Sequence, residues 1–169
     1  MERWSIEVEK EYLKFSAAHF LIFPDGTAER LHGHNYRVYV EVEASLSEHG
    51  LVIDFSHIKP LIRALVDELD EHWILPGQHP ELAIEEVEAE HVEVRYRERR
   101  YRAPRADVLV LPLNNTSAEN LGAFLGRELR RRMRQRFTDL VLKRLRIAVE
   151  ETSGQRGVYH YEPEPDARA

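Results

Sequence analysis

The chain has no cysteine, which removes disulfides and a thiol nucleophile at one stroke and fits a cytoplasmic protein. No apolar stretch comes near the roughly 20 residues that span a bilayer, so no membrane partner is expected. The N-terminus lacks the charged-then-apolar layout of a signal peptide. Lysine is scarce, so that nearly all the positive charge is arginine, and acidic residues outnumber the basic ones to leave a formal net charge of -6. That balance argues against a general nucleic-acid binder. What is present is a chain of 169 residues, enough for one domain that buries a core without staples. It is read as a single domain, 1–169.

Histidine is plentiful, and three histidines have a pattern. His32 and His34 stand in Leu31-His32-Gly33-His34-Asn35-Tyr36, which runs on into Val38, Val40 and Val42 alternating with polar residues. Alternation of period two predicts a strand, and both imidazoles then point to one face. Their Cα atoms would lie about 7 Å apart at ordinary strand rise, within reach of one metal ion. His19, at the end of an earlier alternating run, offers a third ligand. Three neutral histidines and an open position describe a catalytic zinc site, because no ligand charge quenches the Lewis acidity of the ion. Spacing alone leaves a chance His-x-His pair as the alternative.

Residues 4–19 and 34–46 read as two long antiparallel strands, joined by an irregular segment whose Pro24-Asp25-Gly26 signals a turn. Residues 51–55 read as a short strand. A helix follows with Ile58, Leu61, Ile62, Leu65, Val66 and Leu69 at helical spacing, capped by Asp54 or Ser56 and with Pro60 in its first turn. A second helix is predicted to start at Thr116 or Ser117, where Thr116-x-x-Glu119 is a capping box, with Leu121, Phe124, Leu125, Leu129 and Met133 as its buried stripe. Leu145, Ile147 and Val149 mark a third long strand, and residues 158–161 a closing one. Residues 162–169 read as a disordered tail. Between the helices, 77–113 reads as an inserted hairpin with an acidic stretch, an arginine-rich turn and an apolar Val108-Leu109-Val110-Leu111. The order β-β-α-α-β-β gives an α+β domain, a four-stranded antiparallel sheet with both helices on one face.

Glu151 continues the inward alternation of Leu145, Ile147 and Val149, whereas Glu150 faces outward with Arg144 and Arg146. A carboxylate at the end of an apolar face needs a partner. A ligand carrying adjacent N–H donors would satisfy it, and so would an internal arginine.

The ordered set Phe15-Ser16-Ala17-Ala18-His19, Leu31-His32-Gly33-His34-Asn35-Tyr36, Gly50-Leu51-Val52-Ile53-Asp54-Phe55, Leu69-Asp70, Thr116-Ser117-Ala118-Glu119-Asn120 and Val149-Glu150-Glu151-Thr152 resembles the 6-pyruvoyl-tetrahydropterin synthase / 6-carboxytetrahydropterin synthase family. The resemblance spans about residues 4 to 161, apart from the long middle segment. It implies the tunnelling fold, zinc on His19, His32 and His34, and a 7,8-dihydropterin substrate, usually 7,8-dihydroneopterin triphosphate. It implies a pterin held by Glu151 and Ser117. It also implies a homo-oligomer built from trimers, up to a hexamer, with active sites between subunits. Two positions depart from the family. The cysteine that precedes the HGH motif by four residues is Ala28 here, and the neighbouring Glu29 matches a glutamate-bearing subgroup resembling enzymes that cleave the side chain to 6-hydroxymethyl-7,8-dihydropterin. The usual Leu-Asp-His is Leu69-Asp70-Glu71-His72-Trp73, so His72 comes one residue late for a dyad with Asp70. The catalytic candidates are therefore Glu29, Asp70 and His72. The readings of function are a zinc-dependent lyase, with side-chain cleavage first and a 6-carboxytetrahydropterin synthase-type reaction of the queuosine precursor pathway as the alternative, or a zinc-containing pterin-binding paralogue without turnover.

Overall fold

A computed structural model describes residues 2–88 and 90–164, so the last five residues of the expected tail lie outside the described residues. In chain order the elements are β1 (Ser5–Val8), β2 (Lys14–His19), β3 (His32–Ala44), α1 (Phe55–Asp67), β4 (His72–Pro76), β5 (Ala83–Val87), β6 (His91–Tyr96), β7 (Arg99–Pro104), β8 (Val108–Leu111), α2 (Ala118–Arg136), β9 (Leu142–Thr152) and β10 (Gln155–Tyr161). The class is α+β, with both helices over one face of the main sheet. Tyr36, Val38, Val40 and Val42 of β3 and Leu145, Ile147 and Val149 of β9 meet Ile58, Ile62 and Leu65 of α1 and Leu121, Leu125 and Leu129 of α2 in one core. The opposite face is charged, and its charges are matched across strands. Arg144 reaches Glu41 at 2.8 Å, and Arg3 reaches Glu43 at 2.7 Å.

The main sheet is larger than the expected four strands. It has seven, in the order β10-β9-β3-β2-β4-β8 with β1 also paired to β3. The expected strand 4–19 is two strands along one edge of β3, because residues 9–13 bulge out in a turn closed by Leu13 N donating to Lys10 O. β4 and β8 add parallel pairs, Ala17 opposite His72 and Trp73 opposite Val108. β4 is buried from Trp73 to Pro76 and β8 is a continuous apolar run even at the exposed Val110, so neither shows an alternation to read. The 77–113 segment holds β5, β6 and β7 as a separate three-stranded antiparallel sheet, one strand more than a hairpin, and delivers β8 to the main sheet.

Local details shift for local reasons. Residues 51–55 form no strand, because Asp54 instead caps α1 by accepting from Ser56 N at 2.7 Å and Phe55 is already helical. Pro60 lies deeper inside α1 than its first turn, on the exposed side. The cap of α2 is Ser117, accepting from Asn120 N, and not the Thr116 box. Thr116 Oγ1 donates to Phe20 O at 3.2 Å, which binds the start of α2 to the end of β2.

Candidate functional site

In β2 and β3 the antiparallel register sets His19 opposite His32 and Ala17 opposite His34. Strand alternation then puts the three imidazoles on the core-facing side at the end where β2 and β3 leave the sheet. Their ligand atoms all lie within 4.8 Å of one another, a cluster that could hold a metal ion. Donors bound to one ion at about 2.1 Å are roughly 3.4 Å apart, so small side-chain rotations close the set.

The surroundings fix which nitrogen is free. His19 Nδ1 donates to the Thr116 carbonyl at 3.1 Å, and His32 Nδ1 to the Arg30 carbonyl at 2.7 Å. Each carbonyl can only accept, so Nδ1 carries the proton and Nε2 presents its lone pair to the cluster. Burial pushes the His19 imidazole below its ordinary range, because a buried cation is disfavoured. It is therefore neutral near pH 7, the state a ligand requires. These donors fit a metal of zinc's type.

Two carboxylates enter from different elements. Glu151 Oε1 lies 3.3 Å from His19 Nε2 and 3.9 Å from His34 Nε2. Glu29 Oε2 lies 4.0 Å from His32 Nε2 and accepts from Leu21 N at 3.0 Å. Among the described residues, the groups nearest Glu151 are these imidazoles and the Tyr36 phenol, which donates to it at 3.2 Å, and no arginine pairs with it. Tyr36 follows His32 and His34 on the same strand face. Burial and the Glu151 charge raise its pKa well above the ordinary tyrosine value, so it stays a donor. Glu150 faces outward, bonded to Arg156 at 2.5 Å, and that bond holds its carboxyl below the usual range.

Five of the sequence candidates therefore converge: His19, His32, His34, Glu29 and Glu151. Ser117 lies next to Thr116 at the start of α2, with its hydroxyl engaged as the helix cap. Asp70 and His72 do not join the cluster. Asp70 Oδ1 accepts from Ser16 N at 2.7 Å, and Glu71, at φ 58, makes the turn into β4. His72 Nδ1 is buried without a hydrogen-bond partner, so no bond from Asp70 orients it. His72 and Glu71 line a shallow recess together with Ser16, Gly33, His34 and Asn35, and Asp70 lies beside it through its bond to Ser16. Tyr36, Thr116 and the Arg30 carbonyl were not foreseen. Tyr36 alone had a signal, the continued alternation of its strand.

A family model described as 6-pyruvoyl tetrahydropterin synthase matches residues 7–162. A putative 6-carboxy-5,6,7,8-tetrahydropterin synthase of Methanocaldococcus jannaschii is 31% identical over 149 residues, covering 87% of this chain and 89% of that protein. The 6-carboxy-5,6,7,8-tetrahydropterin synthase of Haemophilus influenzae is 36% identical over 73 residues, 40% of this chain and 51% of the other. The crystal structure of 6-pyruvoyl tetrahydropterin synthase from Plasmodium vivax is similar at a TM-score of 0.88 and 29% identity, covering 96% of this chain and 100% of that one. Two further structures of the Plasmodium vivax protein, also at 0.88, are variants in which a catalytic glutamate is replaced by alanine or cysteine.

Proposed function

This chain belongs to the 6-pyruvoyl tetrahydropterin synthase family, and on that footing we propose that it is a zinc-dependent lyase acting on a 7,8-dihydropterin such as 7,8-dihydroneopterin triphosphate. The observation that carries the reading is the meeting of Glu29 and Glu151 on one three-histidine cluster in a chain without cysteine. Zinc held by His19, His32 and His34 supplies Lewis acidity toward the side-chain hydroxyls of the substrate. Glu151, held by the Tyr36 hydroxyl, accepts the adjacent N–H donors on the pyrimidine edge of the pterin. Glu29 takes the proton of a side-chain hydroxyl. The proton is that of the hydroxyl on the second side-chain carbon, whose oxygen becomes a carbonyl as the bond to the first carbon breaks. The electron pair of that bond passes into the ring imine, and the remaining two carbons leave as an aldehyde carrying the triphosphate. The Glu29 carboxylic acid returns the proton to the first carbon. The product is 6-hydroxymethyl-7,8-dihydropterin.

The 6-carboxytetrahydropterin synthase-type reaction is the second reading, favoured by the Methanocaldococcus jannaschii relative, which is similar over most of its length. Incubating zinc-loaded protein with dihydroneopterin triphosphate and identifying products by mass spectrometry separates the two. Hydroxymethyl-dihydropterin supports cleavage, a carboxy- or pyruvoyl-tetrahydropterin overturns it, and bound but unchanged substrate marks a binding paralogue. A cytoplasmic homo-oligomer built from trimers goes with this reading. Its support is that Asp70 and His72 do not join their own chain's cluster, which leaves them to serve a neighbour's. Light scattering should give a mass that is a multiple of three chains, and a monomer would remove this part of the proposal.

Glu151→Gln is expected to weaken neopterin binding by roughly 2–4 kcal/mol, the scale of a broken charged hydrogen bond plus an unpaired donor. The new amide N–H would face the pterin's own N–H groups. Calorimetric titration of the zinc-loaded variant is the check, and unchanged affinity would move the pterin elsewhere.

A further inference from the structure

The inserted sheet has a place in this site. At its tip, where β6 turns into β7, Tyr96 and Arg99 are cross-strand partners. The Tyr96 hydroxyl donates to Gly26 O at 2.8 Å. The Arg99 guanidinium donates to two successive carbonyls, Ala28 O at 2.8 Å and Glu29 O. Gly26, Ala28 and Glu29 belong to the loop between β2 and β3 that carries Glu29 to the histidine cluster.

This loop has little of its own to hold it. Within the loop a single isolated bridge, Ile22 with Ala28, the bonds of one turn and the Leu21 N bond to Glu29 order the backbone, and Asn115 clamps Ile22 at its near end. Backbone carbonyls that no strand pairs require other donors, and a guanidinium is the side chain that can satisfy two at once with fixed geometry. The same sheet is anchored beneath. Val92, Val94 and Tyr96 share a second apolar cluster with Phe20, Ile22 and Trp73, and the Tyr101 ring stacks on Phe20 at 5.8 Å. Phe20 directly follows the ligand candidate His19, so the insertion grips the Glu29 loop at both its root and its far side.

We propose that the β5–β7 sheet is a brace for the Glu29 loop and that Arg99 is a positioning residue which sets the Glu29 carboxylate against the metal cluster. The proposal rests on the reading of Glu29 as the base. Arg99 makes no contact with the cluster itself and would act only through Glu29.

Hydrogen exchange and a double-mutant cycle test it. In Arg99→Ala, amides of residues 26–30 should exchange at least 10-fold faster while those of α2 are unchanged. Zinc content should stay at the wild-type level. The kcat on dihydroneopterin triphosphate should fall at least 10-fold with little change in KM. In a Glu29→Gln background, Arg99→Ala should lower kcat no further, because the group it positions is already gone. Arg99→Lys, which keeps the charge but cannot span both carbonyls, should show the same pattern more weakly and guards against a misfolded alanine variant. Unchanged exchange, or a kcat loss that adds fully to that of Glu29→Gln, overturns the brace while leaving the base assignment intact. A Glu29→Gln protein with full turnover overturns both. If wild-type protein gives no turnover, the lyase reading falls, and unchanged exchange at 26–30 then overturns the brace while faster exchange supports it.

Discussion

Glu29→Gln should lower turnover of dihydroneopterin triphosphate about 100-fold or more, the usual worth of a positioned general base, while zinc content and neopterin affinity stay at wild-type values. The substitution is close to isosteric, and the amide oxygen can still accept from Leu21 N, the bond that fixes the carboxylate in the native chain. The loop and its Arg99 contacts are therefore retained, and what disappears is the negative charge 4.0 Å from His32 Nε2. A measured kcat near wild type would hand the base role to the other candidates. Asp70→Asn or His72→Ala would then be the inactive variant. Since neither residue belongs to the cluster of its own chain, mixing the Glu29→Gln and His72→Ala proteins would report whether one subunit completes another's site.

His32→Ala should abolish stable zinc binding. The wild-type protein is expected to hold one zinc per chain through dialysis, and the variant close to none, as read by elemental analysis. Three nitrogen donors and a water make a tetrahedral set, and losing one leaves two. Among the described residues, Glu29 and Glu151 are the near replacements. Glu29 is held by Leu21 N and Glu151 by the Tyr36 hydroxyl, so neither is free to swing into the vacated position. Equal loss is expected for His19→Ala, with a further cost in stability because His19 is only 1% exposed and its Nδ1 secures the Thr116 carbonyl. Full zinc occupancy in the His32 variant would reject the ligand set.

The sequence by itself determined what depends on neighbours along the chain. The strand period of two set His32, His34 and Tyr36 on one face and turned Glu151 inward and Glu150 outward, because successive side chains must alternate in any extended segment. Helical spacing located the stripes of α1 and α2, and short polar side chains marked their starts to within a residue or two, leaving the structure to choose Asp54 over Ser56 and Ser117 over Thr116 as caps. None of these features needs a distant partner. The tertiary structure decided everything that does. β4 and β8 join the sheet as parallel strands because β2 and β4 offer open edges to apolar runs, and no local period announces a strand in a continuous apolar run. Glu29 is an ordinary loop carboxylate in the sequence. It meets the histidines through the fold of a loop whose carbonyl is held by Arg99, 70 residues on, and His19 is oriented by a carbonyl of Thr116, 97 residues on. Such contacts follow from which elements pack together, a property of the whole core that a local pattern does not encode.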